Sequence, residues 1–345
     1  MPIRSVDYRV DVLRNGVPWQ HMTYASPPSV YCSAGDEIPL TFRGEFRHID
    51  ELRPITDELQ PVMILDGAEY PLGVYRIGSM SWRRNAAGVR YDNIVAYDRG
   101  LLLRRAALEH REFWPAGTRY LDIVQQYLTR AGIRMAIVED SDAVLQTDRE
   151  DWDIGTPYLT IVNALLGEIT YNRIWFDLTG AARIQRYRAP SAATLQHQYR
   201  EGDQIRVLGR EYCAEMDIFD APNVFIAVLE NPEYPEPIYR TAVNDSPASQ
   251  ISTISQGLRI PKVLMVDNIA DEAALQDYVN RVRDESMRTS EYVTFESVNL
   301  GTHGVGDVIG LQIQDLSGIF REVSWNLSMQ VGAMMQHRAE RVVII

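Results

Sequence analysis

The sequence predicts a β-dominated α+β fold, with two small β-barrel domains and an α+β insertion between them. Short segments of alternating hydrophobicity, separated by turn residues, fill the beginning and end of the chain. Segments with apolar residues at helical spacing lie between and within them. A length of 345 residues suits two or three domains. The 46% hydrophobic and 23% charged residues are those of an ordinary globular chain, which needs no disulfide or metal for its core.

Residues 1–98 are expected to form a small barrel or sandwich, taken as the first barrel domain. Tyr8, Val10 and Val12 alternate with Arg9, Asp11 and Leu13, and Asn15-Gly16 follows as a turn. Residues 38–46 alternate again. A strand over 62–65 runs into Asp66-Gly67, a strong hairpin signal, and a strand over 70–77 follows. Segments 79–83 and 89–97 flank a turn at 85–88.

Residues 99–203 change character and are read as the α+β insertion. A helix over 118–133 carries Leu121, Val124, Leu128 and Ala131 on one face, with Gly132 as its stop. Residues 140–153 form an acidic loop. Thr156-Pro157 caps and opens a second helix with the stripe Tyr158, Ile161, Val162, Leu165, Leu166 and Ile169. Segments 174–178 and 182–187 make a hairpin around Thr179-Gly180, ending at Ala189-Pro190-Ser191 because proline cannot donate to a ladder.

Residues 204–345 return to β and are read as the second barrel, with a helical insertion around 268–289. Strands 223–229 and 238–243 flank a Pro-rich turn at 231–237. A helix over 271–287 has Leu275, Tyr278, Val279 and Val282 on one face and Asp271 at its start. Strands are expected over 292–299, 307–314, 320–330 and 340–345. One internal echo links the two β regions. Asp66-Gly67, Gly73-Val74-Tyr75-Arg76 and Ser81-Trp82 are matched in order by Asp315 to Ser317, Gly318-Ile319-Phe320-Arg321 and Ser324-Trp325. Chance similarity of hydrophobic hairpins and a duplicated barrel both account for it.

The chemistry-bearing residues argue against catalysis. The six histidines, His21, His48, His110, His197, His303 and His337, show no i, i+4 pair on a predicted helix and no HExxH, and they read as turn or solvent residues. His303, in the glycine-rich stretch Gly301 to Asp307, is the one that invites a catalytic reading, but a tight turn explains the glycines equally well. No GxSxG elbow or P-loop occurs, and Lys262, the sole lysine, follows Pro261. The carboxylates Glu139, Asp140, Asp142, Asp148, Glu150, Asp151 and Asp153 lack EF-hand order and read as a solvated loop, with a weak Ca²⁺ site as the alternative. Trp82, Trp175 and Trp325 read as core or interface anchors.

A net charge of −13 repels phosphate, so specific nucleic-acid binding is not expected, although such a wall suits a channel through which DNA slides. Near-exclusive use of arginine fits a GC-rich genome and also forked pairs at subunit interfaces. The N-terminus lacks the apolar core of a signal peptide, and no apolar run approaches the ~20 residues of a membrane span. Cys32 and Cys213 are expected to be reduced thiols.

Taken together, a collinear set of motifs resembles the hub family of phage tails. It comprises Tyr97-Asp98-Arg99 to Leu103, Gly117-Thr118-x-Tyr120-x-Asp122-Ile123 and Leu128 to Ile133. Further along come Gly155-Thr156 with Leu159, Ile161-Val162-Asn163 and Leu165-Leu166, then Trp175-Phe176-Asp177 with Gly180, then Asp217 to Val224, and Asn244 to Ser249. His303 to Val308, Met334 and Arg338 to Arg341 close the series. The resemblance covers nearly the whole chain and implies a non-enzymatic structural role without cofactor or metal. It implies a homotrimeric ring at the baseplate or tail tip of a virion, made in the host cytoplasm. The ring would adapt a hexameric tube to a threefold spike or fibre, around a channel that DNA traverses without specific binding. The partners it implies are the tail tube or distal tail protein, baseplate wedge components, the spike or fibre, and the tape-measure protein, with no membrane. Two rivals stay open: a cell-wall-degrading tail enzyme centred on 139–153, and a host-glycan binder using Trp or Tyr platforms.

Overall fold

The computed structural model describes residues 5–202, 208–216, 221–229, 238–266, 269, 271–288, 291–314 and 316–342. The expected turn at 231–237, the motif residues Asp217 to Asp220, Asp315 of the echo and the boundary at 203/204 lie outside them.

The first β region contains β1 (Val6–Arg14), β2 (Val17–His21), β3 (Tyr24–Ser33), β4 (Leu40–Arg47), β5 (Glu58–Leu65), β6 (Ala68–Pro71), β7 (Tyr75–Arg84) and β8 (Arg90–Asp98). Asn15-Gly16 and Asp66-Gly67 turn with both residues at positive φ, which matches the twist of the strands they join. The strand expected over 70–77 is instead two, because Leu72, Gly73 and Val74 leave the ladder and Gly73 adopts φ +119. β3 was not foreseen, since it carries Pro27 and Pro28. Its pairing with β4 is irregular between Ser26 and Ser29, where missing donors are tolerated.

The middle segment begins with α1 (Gly100–Arg105) and α2 (Tyr120–Arg130), then β9 (Ala136–Val138), α3 (Tyr158–Glu168), β10 (Trp175–Phe176) and β11 (Ala182–Ile184). Gly132 ends α2 at φ +81, as expected of a helix stop. Thr156 does not cap α3 as expected, because Pro157 occupies the N-cap and has no side-chain acceptor to offer. α2 and α3 pack a core that includes Tyr127, Leu128, Ile161, Val162, Leu165 and Leu166. The hairpin β10–β11 is extended by β9 lying parallel to β11.

The last region holds β12 (Leu195–Arg200), β13 (Leu208–Met216), β14 (Val224–Leu229), β15 (Ile238–Val243), α4 (Thr253–Gln256), β16 (Pro261–Val266), α5 (Glu272–Arg288), β17 (Glu291–Val298), β18 (Val308–Ile313), β19 (Leu316–Ser328) and β20 (Met334–Arg341). Asp271 accepts from Ala274 N–H at 2.7 Å and so caps α5. The helix lays Leu275 and Val279 onto Phe225, Ala227 and Leu229 of the small sheet β15-β14-β16. β12, β13 and β16 were not anticipated; β16 runs parallel to β14.

One large sheet joins both ends of the chain, in the order β13-β17-β20-β19-β3-β4-β8-β7-β5-β1-β2. The joint is β19 against β3, where Trp325 lies opposite Cys32 and Leu327 opposite Val30. The core of the first region therefore includes Trp325, Leu327, Met329 and Met335 beside Phe42, Phe46 and Tyr75. Each such fully buried large side chain contributes about 1.5–3 kcal/mol.

The echo has unequal outcomes. Tyr75 and Phe320 are both fully buried, whereas Trp82 is 63% exposed and Trp325 is 3% exposed. Trp82 is thus no core residue, because β7 beyond Ile77 runs out into solvent along its whole length.

Candidate functional site

Three of the six histidines are buried and meet in one cluster, contrary to their expected place in turns or solvent. His197 lies on β12, His337 on β20, and His303 in the loop between β17 and β18. Glu322 on β19 joins them. β19 turns Phe320 and Glu322 inward, then Trp325 and Leu327, and this change of parity coincides with the register shift between Glu322 and Ser324.

The cluster is closely connected. Glu322 faces Nδ1 of His303 at 2.7 Å and Nδ1 of His337 at 2.5 Å, one on each carboxylate oxygen. The Tyr199 hydroxyl meets Nε2 of His303 at 2.5 Å, and the Ser297 hydroxyl meets Nε2 of His337 at 2.7 Å. His197 stacks on His303 with ring centres 4.0 Å apart and places Nε2 3.2 Å from Asp307, while its buried Nδ1 has no hydrogen-bond partner among the described residues. Asp307 also accepts from Gly304 N–H at 2.7 Å, which folds the glycine-rich turn. Burial opposes ionisation of Glu322, but His303 and His337 outweigh it and hold its carboxyl down at about 2. Burial lowers His337, against the pull of Glu322. The turn expected at Gly301 to Asp307 exists, and it delivers His303 into the interior.

The acidic loop does not assemble as a site. Asp140 pairs with Arg119 at 2.7 Å, Asp153 with Arg111 at 2.7 Å, and Glu139 with Arg188 at 2.9 Å, while Asp148 accepts from Ala116 N–H at 2.7 Å. Among the described residues, no three groups of this loop come within metal-ligand reach of one another. The loop is also not wholly solvated. Arg149 turns inward, 5% exposed, and forks onto Glu168 of α3 at 2.7 and 3.0 Å. Tyr120 of α2 adds its hydroxyl to the same carboxylate at 2.8 Å.

The Tyr97-Asp98-Arg99 motif has a physical basis at the seam between the first sheet and the middle segment. Asp98 accepts from Leu40 N–H at 3.0 Å and Gly100 N–H at 2.7 Å. Arg99 forks onto Glu58 and donates to Gly180 O at 2.8 Å. Gly73 N–H donates to Leu178 O at 3.0 Å across the same seam. Gly180 is at φ +81, and a Cβ there would lie 2.8 Å from Val74, so the hairpin turn docks only with glycine.

At the surface, a groove of about 550 Å³ crosses the large sheet, lined among others by Tyr31, Cys213, Trp325, Asn326 and Arg338. The small sheet leaves Val263 and Met265 of β16 and Tyr239 of β15 more than half exposed. The exposed Trp82 and Trp19 each carry a guanidinium on one ring face, Arg90 at 5.2 Å and Arg14 at 3.8 Å. Trp175 is half-buried.

No family profile matches the chain, and no curated protein matches its sequence. Its three-dimensional structure is similar to that of a tail protein from Neisseria meningitidis, with TM-score 0.66, 11% identity and 97% of each chain covered. It is equally similar to a tail protein of prophage MuSo2 from Shewanella oneidensis, with TM-score 0.66, 11% identity and 98% of each chain covered. A prophage tail protein from Listeria monocytogenes follows, with TM-score 0.59, 12% identity, 96% of this chain and 94% of that one.

The chain has the fold of these tail proteins. The similarity covers 97–98% of the chain, so it takes in the middle segment and α5 as well as the two β regions. At 11–12% identity it is kept by patterning and packing rather than by residue identity.

Proposed function

We propose that the chain is the structural hub of a phage-type tail, at the baseplate or tail tip, and not an enzyme. The observation that carries this reading is the end-to-end fold match to two tail proteins, at 97–98% coverage in both directions. The dispersal of the acidic-loop carboxylates onto separate arginines and a backbone N–H adds support, because a glycosidase needs two of them converging on one cleft. The guanidinium-capped tryptophans suit protein contacts better than sugar stacking.

In this reading the chain forms a homotrimeric ring in the virion. The ring joins the tail tube or distal tail protein, wedge components, tape-measure protein and a central spike or fibre around a DNA channel. Residues 1–98 and 204–345 act as two barrel domains per subunit, giving a pseudo-sixfold collar, and 99–203 stands as the insertion. The net charge of −13 keeps DNA from adhering to the wall.

Quantitative mass spectrometry of purified particles from a strain carrying the gene tests this. Three copies per particle are expected. Absence from the particle contradicts the reading, as does cell-wall turnover by the purified chain that is lost when Asp148, Glu150 and Asp151 are changed to alanine.

A further inference from the structure

We propose that His303, Glu322 and His337 form a buried site for one divalent transition-metal ion of the zinc class. The inference is independent of the hub reading and rests on the geometry of the cluster.

Two imidazole nitrogens and a carboxylate, from a loop and two strands, point at one another, and their ligand atoms all lie within 4.8 Å. The three residues are at most 3% exposed. Glu322 has His303 and His337 as its side-chain partners and no Arg or Lys within ion-pair distance among the described residues. A buried carboxylate whose side-chain partners among the described residues are two imidazoles is a costly arrangement, and apolar residues would fill the same space at lower cost. A nitrogen–nitrogen–oxygen set selects zinc and its neighbours over Mg²⁺ or Ca²⁺, which take all-oxygen shells.

The surrounding residues fit two states. Without metal, the Nδ1-protonated tautomers donate to Glu322, and in them Nε2 accepts from the hydroxyls of Tyr199 and Ser297. With metal, Nδ1 binds the ion, the proton moves to Nε2, and the same hydroxyls accept. A hydroxyl serves both roles, whereas a carbonyl or an ammonium would serve only one. Such outer partners orient the imidazoles of metal sites. His197 braces the back of His303 by stacking at 4.0 Å. The contacts of 2.5 and 2.7 Å to Glu322 are shorter than the spacing of two zinc ligands, about 3.3 Å for bonds near 2.0–2.1 Å, so the carboxylate must draw back by less than about 1 Å on loading.

The test uses the full chain, stripped with chelator and shown folded by circular dichroism, then titrated with Zn²⁺ and with Co²⁺. One ion per chain is expected, with visible absorption of low-coordinate Co²⁺ and a thermal midpoint raised by at least about 3 °C at saturating Zn²⁺. Mg²⁺ and Ca²⁺ should leave the midpoint unchanged. Glu322→Gln and His303→Asn should abolish the Co²⁺ spectrum. The proposal is overturned if the folded wild-type chain takes up no stoichiometric Zn²⁺ and shows no midpoint shift. It is equally overturned if Ca²⁺ produces the same shift, or if Glu322→Gln binds Co²⁺ as the wild type does.

Discussion

Arg99 and Glu58 form a forked ion pair at the seam between the first sheet and the middle segment, with Nε to Oε1 at 2.9 Å and Nη2 to Oε2 at 2.8 Å. The same guanidinium donates to Gly180 O, so one side chain ties β5 to the β10–β11 turn. Changing Arg99 to Met leaves Glu58 with Arg76 as its one ion-pair partner among the described residues, at 3.2 Å. The expected cost is about 3 kcal/mol, read as a lower urea midpoint. Arg99→Lys should recover less than half of it, since an ammonium cannot fork onto Glu58 and reach Gly180 together.

Gly180→Ala tests the same seam by shape. The positive φ and the 2.8 Å approach to Val74 act together, and a loss of at least about 2 kcal/mol is expected. Gly155→Ala, also at positive φ but with open space around it, should cost about 1 kcal/mol and serves as the control.

Arg149 and Glu168 are the buried charges of the middle segment. Arg149→Met strands Glu168 among Tyr120 and the apolar core, with an expected loss of about 3–5 kcal/mol. Arg149→Met combined with Glu168→Leu should restore most of it, since removing both charges leaves none unpaired. A double mutant as unstable as Arg149→Met alone would contradict this account.

Asp98 sets an expected pH dependence. Burial pushes its carboxyl from 3.8 up to about 7, against the N–H groups of Leu40 and Gly100 that favour the charged form. A group raised on folding contributes stability that is present in full below about pH 3.8 and is lost as pH rises through about 7. Asparagine has one acceptor for two N–H groups, so Asp98→Asn should be less stable at pH 5 by about 1–3 kcal/mol. The gap should narrow by pH 8, as followed by urea unfolding at both pH values.

Much of the fold is legible in the sequence, because the two periods and the turn residues are local. α2, α3 and α5 carry apolar stripes, and the Asn-Gly and Asp-Gly turns and Gly132 fix their own backbone. β3 is not legible because its prolines argue against a strand, and only the bulge against β4 reconciles them with one. β12 and β16 escaped because each joins a sheet through a parallel partner distant in sequence. The histidine cluster was not legible: His197, His303, Glu322 and His337 are separated by up to 140 positions, and β19 reverses parity at its register shift. A signal existed in part, since His337 and Glu322 fall on the inward parity of their strands, where a polar residue is unusual.

Native mass of the purified chain, with negative-stain imaging of the same sample, tests the central claim most directly. The account predicts a particle of three 39.3 kDa chains with threefold symmetry and a central hole. A strict monomer with a closed outline, at protein concentrations up to tens of micromolar, would contradict it.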